Sequence, residues 1–501
     1  MAAFSFPPRP LCAAAALAFG LASARLASAF DGSRFDNVAI YWGQNSYGAT
    51  HSDVANYQKT LSFYCQDDSI DVIPVAFIST FFGTGGAPVL DLANICNPKD
   101  NATFAGTGLV NCASVASDVK TCQSKGKAVT LSLGGGGASV GFQSDSQAES
   151  FADTIWNDFL GGSSSTRPFA DAVLDGVDLD IEGGGTTGYV AFVNRLRSYF
   201  SSASKKYYIT GAPQCVYPDA SLGSTLNSVA FDAVYVQFYN NPCGLNVYNS
   251  SNGFNFGLWD IWARSSPNPN VKVYVGAPAS STAAGSGYVD PSTLATILAK
   301  TRDRFPSFGG VMMWDASQAY ANNRYDAAAK SALVAAGGTG FEFPACSAVA
   351  WSASGTYPGG SQVSYNGYIW QAKWYASGAP KADMNGDWQP ISACAGNAPS
   401  STTTSAGSAP TSGTGNCAGV AAWDSSIAYN GGQQVTYNGH LWTAKWWTQD
   451  ETPSSTSDVW TDSGACKTSG KEQSASASAE ATSKTDSATA RPLKSSRFFR
   501  L

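Results

Sequence analysis

Between residues 38 and 314 the chain alternates short apolar runs with turn-rich or helix-periodic stretches. The apolar runs cover 38–42, 72–77, 128–133, 173–181, 207–212, 233–238, 271–275 and 310–314. Each is five to nine residues long and rich in Val, Ile, Leu and aromatics, the pattern of strands buried on both faces. Amphipathic helical patterns at 147–159, 189–200 and 291–304 fall between them. Eight such strands interleaved with helices predict a (β/α)₈ barrel, a TIM barrel, which needs about 250 residues. Residues 30–343 supply more than that.

The fourth run departs from the others. In Val177-Asp178-Leu179-Asp180-Ile181-Glu182, acids alternate with branched apolar residues. The period of a strand places Asp178, Asp180 and Glu182 on one face and the apolar side chains on the other. Carboxylates packed this closely cannot all ionise in a poorly solvated site, so their pKa values must spread. A solvated acidic strand or a pair of Mg²⁺ or Ca²⁺ ligands would carry the same letters. The apolar face and the Gly183-Gly184-Gly185 turn favour a site at a strand's C-terminal end, where barrels of this kind hold their chemistry. Other predicted strand ends carry Tyr41 and Trp42, Ser132 with Gly134 and Gly135, Gln214, Gln237 and Tyr239, and Trp314 with Asp315. The glycine run 134–137 lacks the Lys of a nucleotide-binding loop and suits a close approach of backbone to a bulky ligand.

After residue 343 the composition changes and a repeat appears. Trp351, Tyr357, Tyr365-Asn366-Gly367, Trp370, Lys373-Trp374, Trp388 and Cys394 recur 72 positions later as Trp423, Tyr429, Tyr437-Asn438-Gly439, Trp442, Lys445-Trp446, Trp460 and Cys466. Each copy, 346–394 and 417–466, is too short for a large core and carries a cysteine near either end, Cys346 with Cys394 and Cys417 with Cys466. Tyr-Asn-Gly signals a hairpin turn. Two small, disulfide-closed, all-β modules follow. Part of their aromatic content must form core, and the remainder, Trp374 with Tyr375 and Trp446 with Trp447, is free to stack on sugar rings. Residues 395–416 read as a Ser/Thr-rich linker and 467–501 as a low-complexity tail.

Charge narrows the partners. Charged residues make up 13% of the 501, and the net charge is −6. Residues 1–29 combine Arg9, an apolar run and Ala27-Ser28-Ala29, a secretory signal whose removal leaves −8. An acidic, charge-poor chain without a basic patch does not suit nucleic acid or an anionic membrane, and no later stretch is apolar enough to span one. With Cys12 in the signal, ten cysteines remain, an even number that fits an extracellular or cell-wall-associated protein, as do the sequons at Asn101 and Asn249. Low charge and the modular tail predict a monomer. His51 and His440 are the two histidines of the chain, so a multi-histidine metal site cannot be assembled, a Ser-His-Asp triad would have to use His51, and no metal or cofactor is expected. Carboxylate acid catalysis on a neutral substrate in an aromatic cleft remains, and glycoside hydrolysis matches it.

These residues carry a resemblance. Asp175-x-x-Asp178-x-Asp180-x-Glu182 and Ser132-x-Gly134-Gly135 match the two signatures of glycoside hydrolase family 18. Residues 39–45, 212–215 and 236–241 resemble its plant and fungal class III, hevamine-like branch, and the paired modules resemble chitin-binding modules of the carbohydrate-binding family 5/12 type, with Tyr375 in the first copy where the second has Trp447. The resemblance implies disulfides Cys65–Cys122, Cys96–Cys112 and Cys215–Cys243, which spacing alone leaves among fifteen connectivities. It implies an endochitinase acting on chitin and N-acetylglucosamine oligosaccharides. Glu182 would be the general acid, Asp180 and Asp178 its supports through a shared proton, and Tyr239 the group that aims the substrate's acetamido carbonyl. Trp314 would be the floor, with Tyr41, Gly135, Gln214 and Gln237 as binding groups. A non-catalytic lectin usually lacks the acid kept at Glu182, and an N-glycan endoglycosidase has no use for two polymer-binding modules.

Overall fold

A computed structural model describes residues 30–250, 253–395, 417, 420–425, 428–429, 433–445, 448–449 and 451–466. The expected signal at 1–29, nearly all of the linker, the tail and the Trp446–Trp447 pair lie outside the described residues.

All eight apolar runs form strands: β1 (Asn37–Ile40), β2 (Val72–Thr80), β3 (Ala128–Gly134), β4 (Gly176–Asp180), β5 (Tyr208–Gly211), β6 (Ala233–Gln237), β7 (Lys272–Pro278) and β8 (Phe308–Trp314). Each pairs in parallel with the next, and β1 closes the barrel by pairing with both β8 and β2. A short strand, Val89–Leu90, runs antiparallel to β2 outside the ring. Period two divides the strand side chains between two cores. Val38, Ile40, Ile73 and Val75 face the helix layer, whereas Ala39, Tyr41, Tyr235, Tyr274 and Met312 fill the barrel lumen.

The predicted helices form as Asp145–Phe159, Tyr189–Ser202 and Pro291–Arg304. Their starts follow from local chemistry. Ser144 Oγ accepts from the Gln147 amide at 3.2 Å, and Asp290 accepts from Ser292 and Thr293 ahead of Pro291. No helix among the described residues is long and apolar enough to cross a membrane.

Each C-terminal copy carries a three-stranded antiparallel sheet. The first comprises β9 (Gln362–Tyr365), β10 (Tyr368–Ala372) and β11 (Trp388–Ala393), and the second β12 (Gln434–Tyr437), β13 (His440–Ala444) and β14 (Trp460–Ala465). Asn366 and Gly367, at φ 48° and 75°, make the tight turn the sequence announces, and Asn438 and Gly439 repeat it at 49° and 76°. Val363 pairs with Trp370 and Val435 with Trp442, so register repeats with sequence. Trp370, Trp388, Trp442 and Trp460 are core, whereas Trp374 and Tyr375 are 45% and 61% exposed. Cys346–Cys394 and Cys417–Cys466 close the two modules, and Cys65–Cys122, Cys96–Cys112 and Cys215–Cys243 staple the barrel loops.

Candidate active site

The three acids climb out of the barrel along β4. Asp178 is fully buried, Asp180 is 4% exposed, and Glu182, two residues past the strand's end, opens to solvent. Asp178 lies in the lumen among hydroxyls. Its Oδ2 accepts from Tyr41 OH and Ser132 Oγ, both at 2.7 Å, and its Oδ1 accepts from Thr210 Oγ1 at 2.7 Å. Asp180 Oδ1 accepts from Gln237 Nε2 at 2.9 Å, and the same amide is held by the Ala212 carbonyl at 3.0 Å.

Burial raises all three pKa values, but the surroundings of each acid differ. For Asp178 the three hydroxyl donors work against burial and favour the charged form. Asp180 is pushed well above the ordinary carboxylate range by burial first, then by the like charges of Glu182, Asp178 and Asp219, with only the Gln237 amide opposing. Glu182 is raised by burial first, because the cleft walls withdraw water from a side chain whose face is open, and then by Asp219. Both oxygens of Asp178 accept from hydroxyls, and its charge contributes to raising Asp180.

Above the acids lies a cleft of about 290 Å³, lined by Phe77, Gly136, Asp180, Glu182, Gln214, Gln237, Tyr239, Asn240, Asn241, Ala283 and Trp314. It thus gathers Glu182, Asp180, Gln214, Gln237, Tyr239 and Trp314 from the ends of different strands. The Tyr239 phenol has no hydrogen-bond partner among the described residues, while burial and the nearby acids hold its pKa far above the usual range. Asn241 Nδ2 donates to Gln214 Oε1 at 3.2 Å. Phe77 stacks on Trp314 with centroids 5.8 Å apart and planes 18° from parallel.

Two expected binding groups are placed differently. Tyr41 is 1% exposed, capped by Phe77 and Trp314, with its hydroxyl spent on Asp178. It supports an acid and touches no ligand space. Gly135 does not line the cleft either. At φ 90°, a Cβ on it would stand 2.7 Å from the Phe77 ring, and one on Gly134 (φ 115°) would stand 2.0 Å from the Asp180 carbonyl. These glycines admit the protein's own β4 and Phe77, not a ligand; Gly136 is the glycine that faces Glu182. Sequence reasoning missed Phe77, Asn241 and above all Asp219. Asp219 accepts backbone hydrogen bonds from Gln214, Ser221 and Leu222, which favour its charged form against burial. A lone acid in a loop after β5 gives no signal of its own. Among the described residues no group of three or more His, Cys, Asp or Glu is arranged to hold a metal ion.

Comparison with known proteins agrees with this arrangement. Residues 422–461 match carbohydrate-binding module family 5/12. Chitinase 2 of Rhizopus oligosporus is 50% identical over 304 residues, 60% of this chain and 53% of that protein. An endochitinase of Saccharomyces cerevisiae is 44% identical over 297 residues, 59% of this chain and 49% of that protein. Endochitinase 33 of Trichoderma harzianum is 41% identical over 308 residues, 59% of this chain and 91% of that protein. The chain spans about half the length of the first curated relatives it matches. Residues 37–290, which run from β1 through β7 and hold all three acids, match the glycosyl hydrolases of family 18, and the chain belongs to that family.

Proposed function

We propose that this protein is a secreted, monomeric endochitinase that hydrolyses the β-1,4 bonds of chitin with retention at the anomeric carbon, and that its two modules anchor it to the insoluble polymer. The observation that carries the reading is the pairing of an open Glu182 with a buried Asp180 two residues before it, in an aromatic cleft that, among the described residues, is lined by no further carboxylate. The relatives named as chitinases point the same way.

In this mechanism burial favours the protonated form of Glu182, and its proton passes to the glycosidic oxygen as the bond to the anomeric carbon breaks. The substrate's own 2-acetamido carbonyl forms the new bond to that carbon, giving an oxazolinium, so no protein nucleophile is needed. The unpartnered phenol of Tyr239 donates to that carbonyl and aims it. Asp180 accepts the acetamido N–H, and the positive charge developing on the oxazolinium favours its ionised form. Asp178, whose charged form is favoured against burial by three hydroxyls, lies beneath it and would support that charge when ionised. Trp314 is the floor for the reacting sugar, with Gln214 and Gln237 at its edge. Water then attacks the anomeric carbon from the face the leaving group vacated, breaking its bond to the acetamido oxygen and giving a proton to Glu182. No cofactor enters. Trp374 and Tyr375, with Trp446 and Trp447 of the second copy, are the groups that stack on the polymer.

The test is product analysis by NMR on chitin oligosaccharides beside Glu182→Gln. Wild type should release β-anomers, and the variant should lose about 10²–10⁴-fold in kcat, the usual worth of a general acid, while still binding chitin. Substantial turnover by Glu182→Gln, or α-anomeric products, would sink the assignment.

A further inference from the structure

The first module is seated on the barrel. Its strand β11 lies against helix Phe256–Ser265, which follows β6 and therefore starts at the catalytic end of the barrel. At the helix start, Gln389 Nε2 donates to the Phe254 carbonyl at 2.6 Å, and Gly257 lies so close to Pro390 that a Cβ would come within 2.1 Å of its carbonyl oxygen. Farther down the helix, Tyr368 OH donates to Asp260 Oδ2 at 2.7 Å and accepts from Arg264 Nη1 at 2.8 Å. Asp260 is fully buried, and its other oxygen takes the Ser307 amide and hydroxyl. A module tyrosine thus completes the hydrogen bonding of a carboxylate inside the barrel's own shell, and undocking would leave that buried charge short of a partner.

The register gives the module a direction. Tyr368 pairs with Ala393 and Ala372 with Trp388, so β10 runs from the Asp260 contact toward the helix start, and the exposed Trp374 and Tyr375 follow directly after it in the chain. The loop beside them packs back on the barrel. Lys373 Nζ donates to the Met384 carbonyl, Trp374 Nε1 to Asp387 Oδ1 at 2.6 Å, and the Tyr217 amide lies 3.3 Å from Met384 Sδ. Tyr217 belongs to the loop that carries Gln214 into the cleft.

We propose that the first module is a fixed extension of the cleft: Trp374 and Tyr375 stack on the same polysaccharide chain that passes over Glu182, several sugars away, rather than on a separate chain as a tether would. The inference rests on the polysaccharide reading of the cleft. Exposed aromatic faces suit the apolar face of a neutral sugar ring, and a platform already docked binds without the ordering cost a flexibly linked module carries.

The test uses the full chain and compares kcat/KM on soluble glycol chitin with kcat/KM on a short fluorogenic chitobioside. In Trp374→Ala/Tyr375→Ala the ratio of polymer to short substrate should fall about fivefold or more, as expected for losing a preorganised stacking site. Tyr368→Phe should lower the same ratio with both aromatic residues intact, because the platform is no longer held in line. If both variants keep the wild-type ratio and lose only retention on insoluble chitin, the module is a tether and the inference falls. If wild type cleaves neither substrate, the hydrolase reading fails, and affinity electrophoresis in glycol chitin then decides. Weaker retardation of both variants supports the extended groove, and unchanged retardation overturns it.

Discussion

Tyr41→Phe separates the two roles available to this side chain. The substitution removes one oxygen, keeps the ring packed against Phe77 and Trp314, and deletes the 2.7 Å hydrogen bond to Asp178. A hydrogen bond to a charged group contributes roughly 1.5–3 kcal/mol, and about 1.4 kcal/mol is a tenfold change in a proton-binding constant, so the substitution makes Asp178 about 10–100 times harder to ionise. The sign is fixed: burial already raises Asp178, and the lost donor had favoured the charged form. If charged Asp178 is required, the acid limb of kcat against pH moves upward by about one to two pH units, while KM moves little because the phenol is sealed beneath the cleft. The assay is the pH dependence of kcat and KM on soluble chitin oligosaccharides, with carboxyl ¹³C titration to follow Asp178 directly. A raised KM with an unmoved acid limb would refute the reasoning and return Tyr41 to the substrate.

Two further variants probe the neighbouring charges. Asp219→Asn removes a like charge that raises both Glu182 and Asp180, while keeping an oxygen to accept from the loop amides. Glu182 should then lose its proton at lower pH, and the alkaline limb of kcat should move downward; an unmoved limb means the two acids do not sense that charge. Asp180→Asn should stabilise the fold near neutral pH. The native Asp180 pKa lies above its unfolded value, so the folded state holds the extra proton, and wild-type stability declines as pH rises from the unfolded value through the raised one. The variant escapes that loss, which amounts to about 1.4 kcal/mol for every pH unit separating the folded and unfolded pKa values, so its urea midpoint should exceed wild type at neutral pH and converge with it in acid. A gain that persists undiminished in acid would assign the effect to packing instead.

The barrel was legible because each strand is buried on both faces, which leaves continuous apolar runs punctuated by turns. Helix Pro291–Arg304 was legible to the residue because Asp290 and Pro291 mark its start. The acids announced themselves by breaking the apolar pattern of β4 at a period of two. Depth was not legible. Strand-end position puts Tyr41 and Gly135 at the correct end of the barrel but cannot say that Phe77 and Trp314 close over the first, or that Phe77 fills the space beside the second. Asp219 and the Asp260–Tyr368 contact depend on pairings across loops and between domains, for which local periodicity carries no information.

Depth is also what lets three carboxyl groups on one strand face differ. Along β4 each acid lies two residues beyond the last, so each step moves the carboxyl outward by roughly 6–7 Å of strand. The innermost, Asp178, would be the hardest to ionise were it not surrounded by three hydroxyls, which can serve it because the lumen at that level is lined by Tyr41, Ser132 and Thr210. One step out, Asp180 retains most of the burial but has a single amide donor and charges on either side, and its pKa is driven the farthest. At the mouth, Glu182 is exposed to solvent while the surrounding wall still raises its pKa. On the proposed mechanism, the different tasks of the three acids follow from the distance of each from the barrel centre and the donors found there, and exchanging their donors should exchange their behaviour.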